Sequence, residues 1–267
     1  ANTTGPQNVA IGGGALQTQT TSEYNVAVGY RAGYSTTTGL QNTFLGGQTG
    51  YNNTTGSFNV GVGINALADN ISGAENTGLG NGAGAALTTG QNNTIVGSGS
   101  NTTANSTTGA NVFGRGVAGD GGYTTLGSGS DDIRAAHGTA TWAAVSDERV
   151  KKDIEDSTVG LNFINDLRPV TFNYKNKGDL PTEFKGYEED STEVYKSEKS
   201  QHGFIAQEVK AAIDKHSDIK NGFSMWDNDD ETGQQRVGET ALIPMLTKAV
   251  QELSAKVEEL ESKLNGE

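Results

Sequence analysis

Cysteine is absent from the 267-residue chain, and its absence excludes both a disulfide framework and a thiolate metal site. The redox compartment is therefore left undetermined. No apolar run approaches the roughly 20 residues of a membrane-spanning helix, and no signal peptide opens the chain, so we expect no membrane insertion. Lys and Arg number 19 against 32 Asp and Glu, and the net charge of -13 argues against a nucleic-acid partner, which needs a basic patch.

Ionisable side chains are scarce in the first half of the chain. Their scarcity excludes a recognisable glycosidase carboxylate pair there, because that chemistry needs two acids flanking the scissile bond. Apolar residues make up only 33%, which is little for two conventional cores even though the length leaves room for two domains. Through residue 130 the acids and bases are Glu23, Arg31, Asp69, Glu75, Arg115 and Asp120.

Residues 1–118 contain instead a repeat of 17 residues. Each unit opens with Asn and continues with short apolar alternation, as at Val26 and Val28. A fixed short period of this kind predicts a β-solenoid whose coils stack, with glycines at the corners. The opening residues are Asn8, Asn25, Asn42, Asn59, Asn76 and Asn93, and a seventh unit is expected at Asn111 after a one-residue insertion.

The stacked asparagines have two interpretations. One is a ladder that binds sugar or metal; the other, which the pattern favours, is a column of amides that hydrogen-bond along the stack and tolerate tight turns. Each coil offers one apolar strand face and little side chain with which to enclose a core alone. We therefore expect three ribbons to pack around a shared axis as a trimeric β-solenoid or β-roll shaft, followed by a Gly-rich transition at 119–141.

Ser146 and Lys151 lie where the repeat gives way to ordinary charged sequence. A lysine whose pKa is lowered by burial can take the proton of a serine hydroxyl without histidine. The two residues are five positions apart, a spacing that neither a helix nor a strand brings onto one face. A turn or a neighbouring chain must complete such a pair, and the alternative interpretation of Ser146 is a helix cap.

Three motifs follow one another in the C-terminal part of the chain. They are Ser146-Asp147-x-Arg149-x-Lys151, then Asp166-Leu167-Arg168-Pro169-Val170-Thr171-Phe172, then His202-Gly203-Phe204-Ile205-Ala206-Gln207-Glu208-Val209. Between and after these motifs the sequence predicts a small α+β domain, with helices at 159–167 and 206–213 and a strand at 170–174. With the three motifs in this order, residues 142–267 resemble the peptidase S74 family, the C-terminal intramolecular chaperone domains of phage tailspikes, tail fibres and neck appendages.

The resemblance implies a domain that trimerises, guides folding of the fibre in front of it and then cuts itself off. Carried over, Ser146 is the nucleophile, Lys151 the general base and Val145–Ser146 the scissile bond, while Asp147 and Arg149 fix the turn. His202 is either a structural hydrogen-bonding residue or a group that orients reactants or stabilises the oxyanion. The implied activity is single-turnover serine autoproteolysis without an external substrate, a cofactor or a metal.

The end of the chain has an uninterrupted heptad pattern, which predicts a coiled coil over 243–264. Pro244 fits its first turn. β-branched residues at one position with Leu at the other favour two strands, whereas the family resemblance and the repeat region favour three. The heptad residues are Ile243, Leu246, Val250, Leu253, Val257, Leu260 and Leu264.

These patterns together predict the C-terminal part of a phage tail fibre or tailspike. We expect a homotrimer that assembles in the host cytoplasm and is carried on the virion, with a chaperone domain that is released if cleaved. A host cell-surface receptor or glycan is a candidate further partner. The alternative is a permanent trimeric structural or receptor-binding fibre, or a bacterial adhesin, without proteolysis.

Overall fold

The computed structural model describes residues 5–139, 141–220, 223–228 and 231–266. The chain divides into two compact units, Ala1–Lys152 and Asp153–Glu267. The first is a β-solenoid of about seven turns, and the second is a small domain that ends in a helix, in agreement with the predicted fold class. Within the described ranges, none of the helices combines the length and apolarity that crossing a bilayer requires.

A ten-stranded sheet runs through the first unit. Eight of its strands are parallel, and the last two in chain order are antiparallel to their neighbours. Two further short strands, β7 (Asn101–Thr102) and β9 (Ala118–Gly119), pair with each other. The sheet strands are β1 (Val9–Ile11), β2 (Val26–Val28), β3 (Thr43–Leu45), β4 (Val60–Val62), β5 (Thr77–Leu79), β6 (Thr94–Val96), β8 (Asn111–Arg115), β10 (Tyr123–Ser128), β11 (Asp131–Ala136) and β12 (Ala143–Ala144).

The seventh coil contains no insertion. Thr94 pairs with Asn111, so the 17-residue spacing persists and Ala110 occupies the column of opening asparagines. The prediction that Asn111 opens a unit after an insertion is therefore wrong. Ala110 still donates its N–H to Asn93 Oδ1 over 2.9 Å, which satisfies the column without an amide at this position.

From β2 to β6 the middle residue of each repeat strand is buried inside the solenoid. Phe44 and Ile95 are fully buried there, and Gly61 leaves space for its large neighbours, since a Cβ on it would lie 2.5 Å from Thr49 Cγ2. The coils thus enclose a narrow core of their own, contrary to the expectation that each has too little side chain to do so. The apolar alternation at Val26 and Val28 instead marks outward positions that are only half-buried.

The asparagine column is a hydrogen-bond ladder inside the solenoid, as the favoured interpretation predicted. Asn59 donates its backbone N–H to Asn42 Oδ1 over 3.0 Å and its side-chain amide to Gly73 O over 2.8 Å. Asn76 repeats both contacts one coil further on, to Asn59 and Gly90. Because these side chains are fully buried, they satisfy backbone groups rather than face a sugar or metal in solution.

Glycine follows each repeat strand because adjacent coils approach closely there. Gly46 has φ +135°, and a Cβ on it would lie 2.6 Å from Gly63 O in the next coil. Only glycine combines this backbone conformation with so short a contact, which explains why it recurs at the same point of every repeat.

In its described residues, the second unit packs three α-helices and two short strand pairs around an apolar core. Phe163, Val209 and Met225 are buried at its centre. The predicted helices at 159–167 and 206–213 and the strand at 170–174 correspond to α1, α2 and β13. The elements are α1 (Leu161–Asp166), β13 (Val170–Phe172), β14 (Gln201–Gly203), α2 (Ala206–Asp214), β15 (Trp226–Asn228), β16 (Gln235–Val237) and α3 (Ile243–Asn265), with 3-10 turns at Lys177–Asp179 and Glu239–Leu242.

Candidate active site

A short 3-10 turn, Glu148–Val150, brings Lys151 back to Ser146. Lys151 Nζ donates to Ser146 Oγ over 2.8 Å. Asp147 caps the turn by accepting the backbone N–H of Arg149 over 2.9 Å. The five-residue spacing is therefore bridged within one chain, and no neighbouring copy is needed to bring the two side chains together.

Asp147 and Arg149 lock this turn through their side chains. Arg149 Nε donates to Asp147 Oδ1 over 2.9 Å and Arg149 Nη2 to Asp147 Oδ2 over 2.6 Å, a bidentate geometry. The side-chain hydrogen bond from Arg149 lowers the pKa of Asp147, and the same bond raises the pKa of Arg149. The two charged groups therefore pair with each other and stabilise the turn that carries Lys151.

The predicted scissile bond, Val145–Ser146, begins one residue after the last strand of the sheet. A cleft of about 400 Å³ lies beside it. The lining residues that belong to the end of the solenoid include Asp120, Asp132 and Arg134. On the other side the cleft is lined by the last strand, Ala143–Ala144, and by Val145 and Ser146 of the bond itself.

Ser146 and Lys151 are both exposed in the single chain. A lysine acts as a general base only where burial disfavours its charged form, so the pair needs a cover for the chemistry that its geometry allows. Trp142 and Val145, which are 50% and 61% exposed, place apolar surface next to it. The chain by itself supplies the contact between the two side chains but leaves them open to water.

His202 lies in the second unit, on β14. Its Nδ1 is 3.3 Å from Thr171 Oγ1, directly across the pair of strands β13 and β14. This contact gives His202 a structural hydrogen bond within its own unit. A contribution to chemistry at Ser146 stays a prediction.

Two ion pairs near the motifs were not predicted. Arg168 donates to Glu208 in a bidentate geometry, which lowers the pKa of Glu208 and ties the second motif to the third. In the first unit, Arg134 Nη1 lies 2.6 Å from Asp120 Oδ2. No periodic spacing links the members of either pair, although the isolated charge of Asp120 in a nearly uncharged segment was an available signal.

The predicted heptad residues form an exposed apolar stripe on α3. Their exposed fractions run from 45% for Leu246 to 87% for Leu264. Another face of the same helix packs inside the unit, where Ala249 is buried and Glu252 accepts the backbone N–H of Leu161 over 2.8 Å. One face of α3 is therefore used within the chain, while the heptad stripe has no cover in the single chain.

Fold and site together define a β-solenoid joined to a small α+β domain, with a serine–lysine contact at the end of the sheet. Residues 146–218 match the family model Peptidase_S74, described as the chaperone of endosialidase. This match agrees with the resemblance that the three sequence motifs indicated, and Ser146 is the first residue matched. No curated protein and no solved structure matches the chain significantly.

Proposed function

We propose that the chain is the C-terminal part of a phage tail fibre or tailspike carried on the virion. In this proposal residues 146–267 are an intramolecular chaperone that assembles the solenoid as a homotrimer and then separates from it by one autoproteolytic cut before Ser146. The observation that carries the proposal is the 2.8 Å contact between Lys151 Nζ and Ser146 Oγ at the start of the matched family segment.

The proposed reaction is an acyl shift followed by hydrolysis. Ser146 Oγ attacks the carbonyl carbon of Val145 while its proton passes to neutral Lys151 Nζ, and the bond between that carbon and Ser146 nitrogen then breaks. The released amine takes the proton from Lys151. Water hydrolyses the ester left on Ser146 Oγ, which yields a carboxylate at Val145 and a free hydroxyl and amine on Ser146.

Association of copies is supported by a column of outward apolar side chains on the sheet. Each side chain of the column belongs to a residue that is paired in register with the next member on the neighbouring strand. Two of these side chains, Ile11 and Leu79, are 59% and 46% exposed. A second copy has the same repeat period and can pack along the whole column, which a partner without the repeat cannot do. The column consists of Ile11, Val28, Leu45, Val62, Leu79, Val96, Phe113, Leu126, Ile133 and Ala144.

In this proposal the exposed stripe of α3 forms a coiled coil, and this coiled coil meets a need that arises from the repeats of the shaft. Coils of a repeat can pair one coil out of register at little local cost, and non-local β-structure folds slowly. Helices associate quickly, set the register of three chains and raise their effective concentration. Removal of the helical domain then leaves a shaft without an easy route back, which confers kinetic stability.

Intact mass and denaturing gel mobility of the purified wild-type chain test this proposal against Ser146→Ala and Lys151→Ala. We expect two wild-type fragments that meet at Val145–Ser146, and one uncut band from either variant with the same trimer mass by analytical ultracentrifugation. Lys152→Ala is the matched control, since it removes the adjacent exposed lysine, and it should cut normally.

Normal cutting in Ser146→Ala or Lys151→Ala would overturn the serine–lysine assignment. An uncut wild-type trimer would instead favour the alternative of a permanent structural or receptor-binding fibre, in which the second unit remains as a clamp.

A further inference from the structure

The strand that leads to the proposed cut belongs to the sheet of the solenoid. β12 consists of Ala143 and Ala144 only, and it pairs antiparallel with β11 through Arg134 opposite Ala143 and Ile133 opposite Ala144. The carbonyl of Val145 is one residue further along. The position of the bond is therefore set from one side by the end of the solenoid and from the other by the turn that carries Lys151.

β11, the strand with which β12 pairs, is itself held in the sheet along its whole length. All six of its residues pair with β10, which in turn pairs parallel with β8 in the last full coil. The side chain opposite Ala143 is also held, because Arg134 pairs with Asp120 over 2.6 Å and lies over the ring of Tyr123 at 4.8 Å. Asp120 in addition accepts a hydrogen bond from Thr103 Oγ1.

We infer that β11 serves as the substrate-positioning strand for the cut, with Arg134 as a positioning residue, so that pairing of β12 with β11 sets the place of the Val145 carbonyl. This inference rests on the proposed autoproteolysis. It treats the chain before the cut as a peptide bound by strand addition, in which main-chain hydrogen bonds set the position of the carbonyl.

β12 depends on β11 for its position because it is so short. A strand of two residues has too few ladder hydrogen bonds to hold its place unless the neighbouring strand is already ordered. Attack on a carbonyl needs the reacting atoms about 3–3.5 Å apart, and a misplacement of about 1 Å can slow a reaction about 100-fold. Loss of the pairing between β12 and β11 should therefore slow the cut.

A one-residue insertion tests whether pairing with β11 sets the position of the bond or whether the turn that carries Lys151 sets it alone. Glycine inserted between Ala144 and Val145 shifts the bond by about 3.3 Å along β11 but leaves Val145, Ser146 and Lys151 in sequence. The matched control is a glycine inserted between Gly138 and Thr139, in the connection between β11 and β12, where a Cβ on Gly138 would have open space around it. Each variant is studied as the full chain.

We expect the insertion after Ala144 to slow cutting about 100-fold at unchanged trimer mass and melting temperature, and the insertion after Gly138 to change the rate less than about twofold. Arg134→Ala should slow cutting about 10-fold, Arg134→Lys should recover part of that loss, and Arg115→Ala on β8 should have no effect. Amide hydrogen exchange at Ala143 and Ala144 should speed up in Arg134→Ala.

Wild-type cutting together with an equal rate in the insertion variant after Ala144 would overturn the inference and leave the proposed function intact. Equal slowing by both insertions would also overturn it, because connector length and not pairing would then be responsible. If the insertion after Ala144 prevents trimer formation, the Arg134 series decides: an unchanged rate in Arg134→Ala with faster exchange of β12 would overturn the inference. An uncut wild type would remove the proposed cleavage and the inference with it.

Discussion

The solenoid and the small domain satisfy their interiors in different ways. The solenoid buries a column of amides, among them Asn42 and Asn59, that hydrogen-bond from coil to coil, beside a narrow strip of apolar side chains. The small domain buries a single apolar core around Phe163 and keeps its ion pairs at the surface. Repeated nearest-neighbour contacts make stability a sum along the axis, whereas one shared core makes it cooperative across the domain. A shift of register by one coil therefore costs little free energy in the first unit, and the second unit has no repeat that could shift in this way.

Removal of the central aromatic ring should give the largest effect and should break the small domain as a whole. Phe163 is fully buried and packs edge-on against His216 and Phe223. We expect Phe163→Ala to cost about 3–5 kcal/mol of unfolding free energy, because the cavity cannot collapse in a close-packed core. Thermal unfolding followed by the helical circular dichroism signal measures this loss, since all the α-helices in the described residues lie in this unit.

Phe58→Ala supplies the matched control for that substitution, because its side chain lies on the solenoid surface and is half exposed. It should leave the helical transition where it is. A helical melting temperature in Phe163→Ala equal to that of the wild type would contradict the picture of one cooperative core.

Removal of one amide from the ladder should have a smaller and more local effect in the solenoid. Asn59→Ala leaves the backbone N–H of Asn76 without its partner inside the coil stack and removes one of the two amides that donate to Gly73 O, the other being that of Asn70. A buried unpaired group costs about 1–3 kcal/mol, so amide exchange at Asn76 should accelerate while coils two or more away stay protected.

Asn105→Ala is the comparison for the ladder variant, since that side chain is exposed at the coil surface. Uniform loss of protection along the whole solenoid in Asn59→Ala would show that the coils unfold as one unit and would remove the contrast between the two regions.

Acidification should produce the smallest effect on stability. It should destabilise the small domain, whose ion pairs titrate, and leave the amide ladder of the solenoid unchanged. Hydrogen bonds from His216 and Lys215 lower the pKa of Asp166, and the hydrogen bond from Arg168 lowers the pKa of Glu208. Their folded-state pKa values lie below those of the unfolded chain, so the stability they contribute is present above the ordinary carboxyl pKa of about 4 and is lost as the pH falls through the folded-state pKa. The buried amides of the solenoid do not titrate.

Melting of the helical signal at pH 7, 4 and 3 tests this dependence. The transition should move to lower temperature on acidification, and it should move less in the double variant Asp166→Asn, Glu208→Gln. Because these carboxylates are exposed, the shift should stay well below that of Phe163→Ala. A helical transition that does not respond to acid would refute the assignment of these ion pairs to stability.

The site divides into a part that sequence spacing could reach and a part that it could not. Ser146, Lys151 and the turn residues stand within six positions of one another, and the motif pointed to them directly. The contact itself depends on the Asp147 cap and on the lock between Asp147 and Arg149, which are properties of folded backbone. Arg134 and Asp120 escaped prediction because the register of antiparallel strands and the neighbouring coil bring them together.

The sequence by itself determined the coil period, the internal amide column, the helical heptad and the match of residues 146–218 to a family model, because each is written as a local spacing or a contiguous motif. Only the tertiary structure decided that the seventh coil keeps its register with Ala110 in the asparagine column, that the apolar alternation at Val26 and Val28 faces outward, and that β12 joins the sheet just before Ser146. These features follow from hydrogen-bond register between distant segments, which residue identity does not encode at any fixed spacing.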